Sequence, residues 1–135
     1  MTGLADLLPD AVFLVDDHGR VNYASAACTS IFGFTPQEIV GNFMLDLVMP
    51  DDRDRTIKEA AEVISRGQRV GFENRYLRKD GSEAHVMWSA RWLRSERLRV
   101  GVGRDVTHLR QQQHRLHRGL THATSPLAPY ELRVL

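Results

Sequence analysis

The chain has 135 residues, 42% of them hydrophobic and 26% charged, and its formal net charge is +1. This length favours one domain with a real hydrophobic core, and the near-neutral charge argues against nucleic acid or an anionic membrane as a partner. A single cysteine excludes an intramolecular disulfide, and the lack of a signal pattern or of an apolar run of roughly 18 residues predicts a cytoplasmic protein without membrane spans.

The first elements in chain order are a hairpin and a short helix. Residues 11–24 contain two apolar runs on either side of the turn residues at 16–19. Such a pattern predicts two short paired strands. Small residues dominate 25–34, where we expect a short helix.

The next two helices have clear start and stop signals. Thr35 is a suitable N-cap, Pro36 suits the first helical position, and Glu38 completes a capping box. Residues 51–66 carry acidic residues in their first turn and apolar residues at helical spacing, which predicts a longer helix that ends at Gly67.

Three strand-like runs follow at 70–77, 84–93 and 97–106. The first two are joined by a Lys-Asp-Gly turn and the last two by a short polar turn, so the pattern predicts a three-strand meander. Two strands, a helical middle and three more strands are typical of the α+β class, with helices on one face of an antiparallel sheet.

The chain becomes polar after residue 107, with many Gln, Arg and His residues. Its apolar positions follow a 3-4-3-4 spacing from Val106 through Leu109, Leu116 and Leu120, which indicates a short weak heptad. We interpret 108–124 as a helical linker. Two prolines then interrupt the pattern, so 125–135 is either the start of a following segment or a disordered tail.

Five stretches of the sequence, in this order, resemble a PAS domain, the sensory module of many bacterial signalling proteins. They are LLPDAVFLVDDHGRVNYAS, IFGFTPQEIVG, LVMPDDRDR, YLRKDGS and GVGRDVT, within residues 4–107. The resemblance implies a five-stranded antiparallel sheet that encloses a small cavity with its helices. It also implies that residues 1–107 form the sensory domain and pass the signal to the helix after Asp105–Thr107.

The Asp105–Thr107 junction also has a physical interpretation. Thr107 can cap the outgoing helix by accepting a backbone N–H, and Asp105 can pair with a nearby arginine or amide. A rigid junction would relay a distortion of the sheet into the helix. The simpler alternative is a well-made helix start.

The resemblance does not identify a cofactor, and we leave it unknown. A thiol adduct with flavin is disfavoured because Met44 stands near the position of the reactive cysteine, and Cys28 lies on an earlier helix. Haem is disfavoured because Thr56 stands near the position of the axial histidine. His114 and His117 share a helix face, but a solvated linker is the better interpretation, so no metal site is expected.

Strand alternation puts Val86, Trp88 and Ala90 on one side of their strand, and the resemblance implies that this side faces the cavity. Trp92 has the same parity as the cavity-facing residues but lies near a strand end, where we expect another role. The simpler alternative is that Trp88 fills the cavity and leaves no room for a ligand. The predicted ligand-binding residues are Phe72, Asn74, Tyr76, Val86, Trp88, Ala90, Gly101 and Gly103.

The opposite face of the sheet and the linker heptad carry apolar residues that suit a homodimer. Alternatively, a short N-terminal helix of the same chain covers the sheet face. The predicted interface residues are Leu4, Leu7, Met87, Leu93, Val100, Val102, Leu109 and Leu116.

No motif of catalysis is present, so we expect no catalytic residues and no enzymatic activity. The predicted function is a sensory and dimerisation domain of a bacterial signalling protein, which senses a small ligand or relays a signal to a downstream output domain of the same polypeptide. The alternatives are a ligand-free protein-interaction module and a haem or flavin redox sensor.

Overall fold

A computed structural model describes residues 3–123, and the segment predicted at 125–135 lies outside them. Five strands form one antiparallel sheet in the order β2-β1-β5-β4-β3, which confirms the predicted fold class. The strands are β1 (Ala11–Asp16), β2 (Val21–Ala24), β3 (Gln68–Leu77), β4 (Glu83–Leu93) and β5 (Leu98–Asp105).

The helices are α1 (Cys28–Phe32), α2 (Pro36–Ile39), α3 (Arg53–Arg66) and α4 (Thr107–Ala123), with short 3₁₀ segments at Leu4–Leu7, Met44–Leu47 and Pro50–Asp52. The first three lie between β2 and β3 in the chain, and α4 leaves from the end of β5. None of the helices within residues 3–123 is long and apolar enough to cross a membrane.

The helix signals in the sequence act as predicted. Thr35 Oγ1 accepts a hydrogen bond from the Glu38 backbone N–H at 3.2 Å, and the Glu38 carboxylate accepts one from the Thr35 N–H at 3.0 Å. This is the reciprocal capping box that satisfies two free donors at a helix start. Helix α3 ends at Gly67, whose positive φ of 87° suits a residue without a Cβ atom.

Four aromatic rings form the centre of the core on the inner face of the sheet. Phe13 lies 5.8 Å from Phe32 and 5.6 Å from Trp88, measured between ring centroids. Tyr76 lies 5.1 Å from Phe32 and 5.9 Å from Trp88. Tilted and edge-on pairs at these distances contribute roughly 0.5–1.5 kcal/mol each beyond their buried area. The four rings therefore join α1 to strands β1, β3 and β4.

A buried ion pair joins the start of α3 to β3. The Asp52 carboxylate accepts hydrogen bonds from the Arg75 backbone N–H at 2.8 Å, from Nε at 3.0 Å and from Nη2 at 2.8 Å. Asp52 is only 4% exposed. The bonds from Arg75 hold the pKa of Asp52 at about 2, below its ordinary value of 3.8. Because Asp52 immediately precedes α3, this pair sets where the helix begins relative to the sheet.

The first turns of helix α4 are attached to the sheet. The buried side chain of Val106 belongs to the domain, and its N–H donates to the His85 carbonyl at 2.9 Å. Arg110 then donates two hydrogen bonds to the Glu73 carboxylate at 2.7 and 2.6 Å. Side chains at 111–118 are exposed. The helix therefore docks on β3 and β4, and its residues 111–118 present their side chains to solvent.

Candidate ligand cavity

A cavity of about 460 Å³ lies between the inner face of the sheet and α3. Binding pockets for small molecules commonly measure about 300–1,000 Å³ and are mostly apolar with a few polar groups. The α3 side of the wall comes from the helix face that carries the predicted apolar spacing. Its lining residues there include Thr56, Ile57, Ala60, Val63 and Ile64.

The structure brings six of the eight predicted ligand residues to this wall, namely Phe72, Asn74, Tyr76, Trp88, Ala90 and Gly101. Val86 and Gly103 do not line it, and a role of any of the eight residues in ligand binding remains a prediction. Val86 is fully buried in the core. A Cβ atom at Gly103 would lie 2.9 Å from ring carbons of Trp88 and 3.0 Å from Val86 Cγ1. Gly103 is therefore a glycine because the Trp88 ring lies against its backbone, and the ring separates it from the cavity.

Trp88 forms part of the wall and does not fill the cavity, which argues against the simpler alternative. Its Nε1 donates to Asn74 Oδ1 at 2.8 Å. The Asn74 amide nitrogen in turn donates to Thr56 Oγ1 at 3.0 Å and to the Tyr76 hydroxyl at 3.2 Å. Both amide protons of Asn74 are thus used within the protein, so this residue positions Trp88 and Tyr76 and has no N–H left for a ligand.

Trp92 lies four residues beyond Trp88 on β4, opposite Arg99 of β5. It does not line the cavity, and its backbone N–H donates to the Gly67 carbonyl at 2.8 Å. Arg99 itself does line the cavity, and we did not predict this. Its parity, the same as that of Gly101 and Gly103, was the signal that could have found it.

The cofactor predictions, which disfavour a flavin–thiol adduct and haem, remain predictions. They concern residues near the cavity wall whose positions the structure now gives. Met44 lines the cavity, whereas Cys28 is fully buried in the core and its Sγ donates to the Phe34 carbonyl at 3.6 Å. Burial raises the pKa of the Cys28 thiol to about 11, so the reactive thiolate is scarce at neutral pH. Thr56, near the position of the haem ligand, also lines the wall. Within residues 3–123 no group of three potential metal ligands is present.

The junction at Asp105 and Thr107 differs in part from the prediction. Asp105 pairs with an arginine as expected, accepting from Arg78 Nη2 at 3.0 Å. Thr107 does not cap its own helix, however, because its Oγ1 accepts the backbone N–H of His85 on β4 at 2.9 Å. Arg78 also donates from Nε to the Ile31 carbonyl at 2.9 Å. The start of α4 is therefore tied to a neighbouring strand and, through Arg78, to α1.

We expect the substitution Thr107→Val to loosen the start of α4. Valine keeps the shape of threonine but leaves the His85 N–H without its acceptor, which costs roughly 1–3 kcal/mol when the group is buried. Hydrogen–deuterium exchange read by mass spectrometry should then be faster in residues 105–112 than in the parent chain. Thr107→Ser keeps the hydroxyl and should exchange as slowly as the parent; equal exchange in all three proteins would contradict the assignment.

The predicted interface residues lie in three environments. Leu4 and Leu7 are 83% and 75% exposed, so the N-terminal segment does not use them to cover the sheet. Leu109 and Leu116 are 47% and 63% exposed on α4. The remaining four side chains are partly buried on the outer face of the sheet, at Met87, Leu93, Val100 and Val102.

Comparison with known proteins places the chain in a family. A family model described as the PAS fold matches residues 21–102, more than half of the chain. The White collar 2 protein of Neurospora crassa is 32% identical over 75 residues, which cover 56% of this chain and 14% of that protein. A blue-light-activated histidine kinase of Brucella ovis is 32% identical over 91 residues, which cover 66% of this chain and 18% of that protein. The chain thus spans less than a fifth of either relative.

Solved structures show the same fold. The PAS domain of a protein from Colwellia psychrerythraea superposes with a TM-score of 0.70 at 23% sequence identity. The superposition covers 77% of this chain and 92% of that chain. At this level of identity the likeness concerns the arrangement of the sheet and helices.

Proposed function

The chain belongs to the PAS fold family, and from that membership we propose that it senses a small molecule in its internal cavity and relays the signal through α4. Homology to a light-activated histidine kinase supports signal sensing as its role. The observation that carries the ligand is the cavity of about 460 Å³ between the sheet and α3. We propose no catalysis by the domain itself.

The cavity suits a ligand better than it suits an empty core. Apolar side chains of α3 and aromatic rings of the sheet make up most of its wall, and the cavity is open to solvent on one side, where Ile57 and Ile64 are 53% and 41% exposed. A ligand with an apolar body would remove this apolar surface from water. Any molecule that binds the folded state in this way also stabilises that state by mass action.

A short path connects the cavity to the helix. Tyr76 lines the cavity near the end of β3, and Arg78 lies two residues further along the chain. Arg78 holds Asp105 and, at 3.3 Å, the Thr107 hydroxyl. A displacement of β3 by a ligand would therefore move the anchor of α4. This geometry supports a shift between two positions of the helix, which requires that the ligand prefers one of them.

We propose that the domain acts as a homodimer within a longer bacterial protein. Exposed Leu109 and Leu116 lie seven residues apart on α4, the spacing of equivalent positions in a two-stranded coiled coil. Partly buried apolar residues on the outer sheet face could extend the contact. The output domain would follow α4, and the cytoplasmic location inferred from the sequence remains a prediction.

Native mass spectrometry of the freshly purified chain, without added cofactor, tests both parts of this proposal. We expect a dimer with one non-covalent ligand in each subunit. A mass increment would identify the ligand class, and haem or flavin would overturn the cofactor predictions. A dimer that never carries or acquires a ligand would support the alternative of a protein-interaction module. An apo monomer that binds nothing in a screen would contradict the whole proposal.

A further inference from the structure

One charged side chain of the cavity wall has no partner in the protein. Arg99 lies on the inner face of β5, is partly buried and lines the cavity. Among the side chains that the structure describes, none accepts a hydrogen bond from its guanidinium or forms an ion pair with it, and its nitrogens are not sealed from solvent. Burial lowers the pKa of Arg99, but a guanidinium remains charged at neutral pH. A partly desolvated cation without a protein partner is available to pair with an anionic ligand.

The carboxylates elsewhere on the wall are already paired. Asp17 accepts a hydrogen bond from Arg97 Nε at 3.0 Å. Glu59 accepts two from Arg69, at 3.1 and 3.0 Å. Each acid is thus paired with its own arginine, and neither of them neutralises the positive charge of Arg99.

A second free donor lies on the wall of the same cavity. The Tyr76 hydroxyl accepts a hydrogen bond from Asn74, and among the described residues its own proton has no acceptor. Tyr76 is only 3% exposed. Its burial raises the pKa of the hydroxyl to about 12, and the charge of Arg99 is among the influences that oppose the rise. The hydroxyl is therefore protonated at neutral pH, and it lines the same cavity as Arg99.

Building on the proposed function, we infer that the cavity binds a monocarboxylate with an apolar body, its carboxylate held by the Arg99 guanidinium. A guanidinium and a carboxylate match in charge and in bidentate geometry. A phosphate monoester carries nearly two negative charges, which the single cation does not balance. The apolar face of α3, with Ile57, Ala60 and Ile64, would contact the rest of the ligand.

Isothermal titration calorimetry on the 135-residue chain tests the inference with matched probes. Decanoate is compared with 1-decanol and decyl phosphate, and 2-naphthoate with 2-naphthol. We expect at least one carboxylate to bind roughly tenfold or more tightly than its alcohol. Arg99→Met should weaken that carboxylate roughly 10- to 100-fold, the range for a hydrogen bond to a charged group, and leave the alcohols unchanged.

A matched control removes the same charge from the other face of the sheet. Arg91 lies on β4 with its side chain exposed, so Arg91→Met should bind every probe as the parent does. The melting temperature of the ligand-free protein gives a second measurement. Arg99→Met should change it by no more than about a few degrees, because no hydrogen bond or ion pair within the protein is lost, whereas a structural role for Arg99 would lower it clearly.

The outcomes separate this inference from the proposed function. Alcohols that bind as tightly as the carboxylates, with no effect of Arg99→Met, would overturn the anionic ligand and leave a ligand cavity in place. Decyl phosphate as the tightest probe would overturn the choice of a carboxylate. Binding of no probe would overturn this ligand class, while a co-purified neutral molecule in the native mass spectrum would still support sensing.

Discussion

Trp88→Ala is expected to lower the free energy of unfolding by about 3–5 kcal/mol, the usual range for removing a large aromatic side chain from a core. Three losses add up at this position. The ring contacts with Phe13 and Tyr76 disappear, and Asn74 Oδ1 loses its donor. The space cannot refill from the sheet below, since the neighbouring strand presents only Gly101 and Gly103 there.

Urea denaturation followed by circular dichroism measures this change, and Trp92→Ala is its matched control. Trp92 lies on the same strand with the same parity but away from the cavity wall, so its removal should cost less than half as much. Any ligand found by mass spectrometry should also be retained less well by Trp88→Ala than by Trp92→Ala. Equal losses of stability and of ligand in the two variants would show that Trp88 contributes no more to either than Trp92 does.

Asp52→Asn is expected to lower the free energy of unfolding by about 2–3 kcal/mol at neutral pH. Removing one member of a buried ion pair costs roughly 3–5 kcal/mol, and the value here should be lower because the side chain of Arg75 is 34% exposed and can be hydrated. Thermal or urea unfolding at pH 7 measures the loss. Asp51→Asn is the control, since Asp51 is exposed and should change stability very little.

The same carboxylate predicts how stability depends on pH. The pKa of Asp52 is about 2 in the folded state and near 3.8 when unperturbed. The stabilisation is therefore fully present above pH 3.8 and is lost as the pH falls through 2, a change of about 2 kcal/mol by linkage. Asp52→Asn should lack this part of the acid-induced loss. A parent and a variant with parallel stability curves between pH 5 and pH 2 would contradict the assignment.

Local signals in the sequence were sufficient for most of the fold. The capping box at Thr35 and Glu38 and the stop at Gly67 depend on neighbours within a few residues, and both formed as predicted. Strand alternation placed Trp88 and Tyr76 on the same face of the sheet because successive side chains of a strand point to opposite sides. The family resemblance supplied the expectation that the sheet and helices enclose a cavity.

The candidate site was only partly predictable, because its details depend on contacts between distant segments. Parity alone could not show that the Trp88 ring would lie over Gly103 and remove it from the wall. Nor could parity show that the Asn74 side chain would donate both of its amide protons to other groups of the protein. Thr107 was predicted to cap its own helix. In the structure its hydroxyl oxygen instead accepts a hydrogen bond from the backbone N–H of His85 on a neighbouring strand.

By itself the sequence therefore determined the class of fold, the order and approximate limits of the elements, and the face of each strand, because these follow from periodicity and from chemistry between near neighbours. Only the tertiary structure decided which polar groups are satisfied and which are left free. Whether Arg99 has a partner depends on where Asp17, Glu59 and Tyr76 come to lie, and these residues come from the β1–β2 turn, from α3 and from β3. Hydrogen-bond partners at such distances along the chain are assigned by packing.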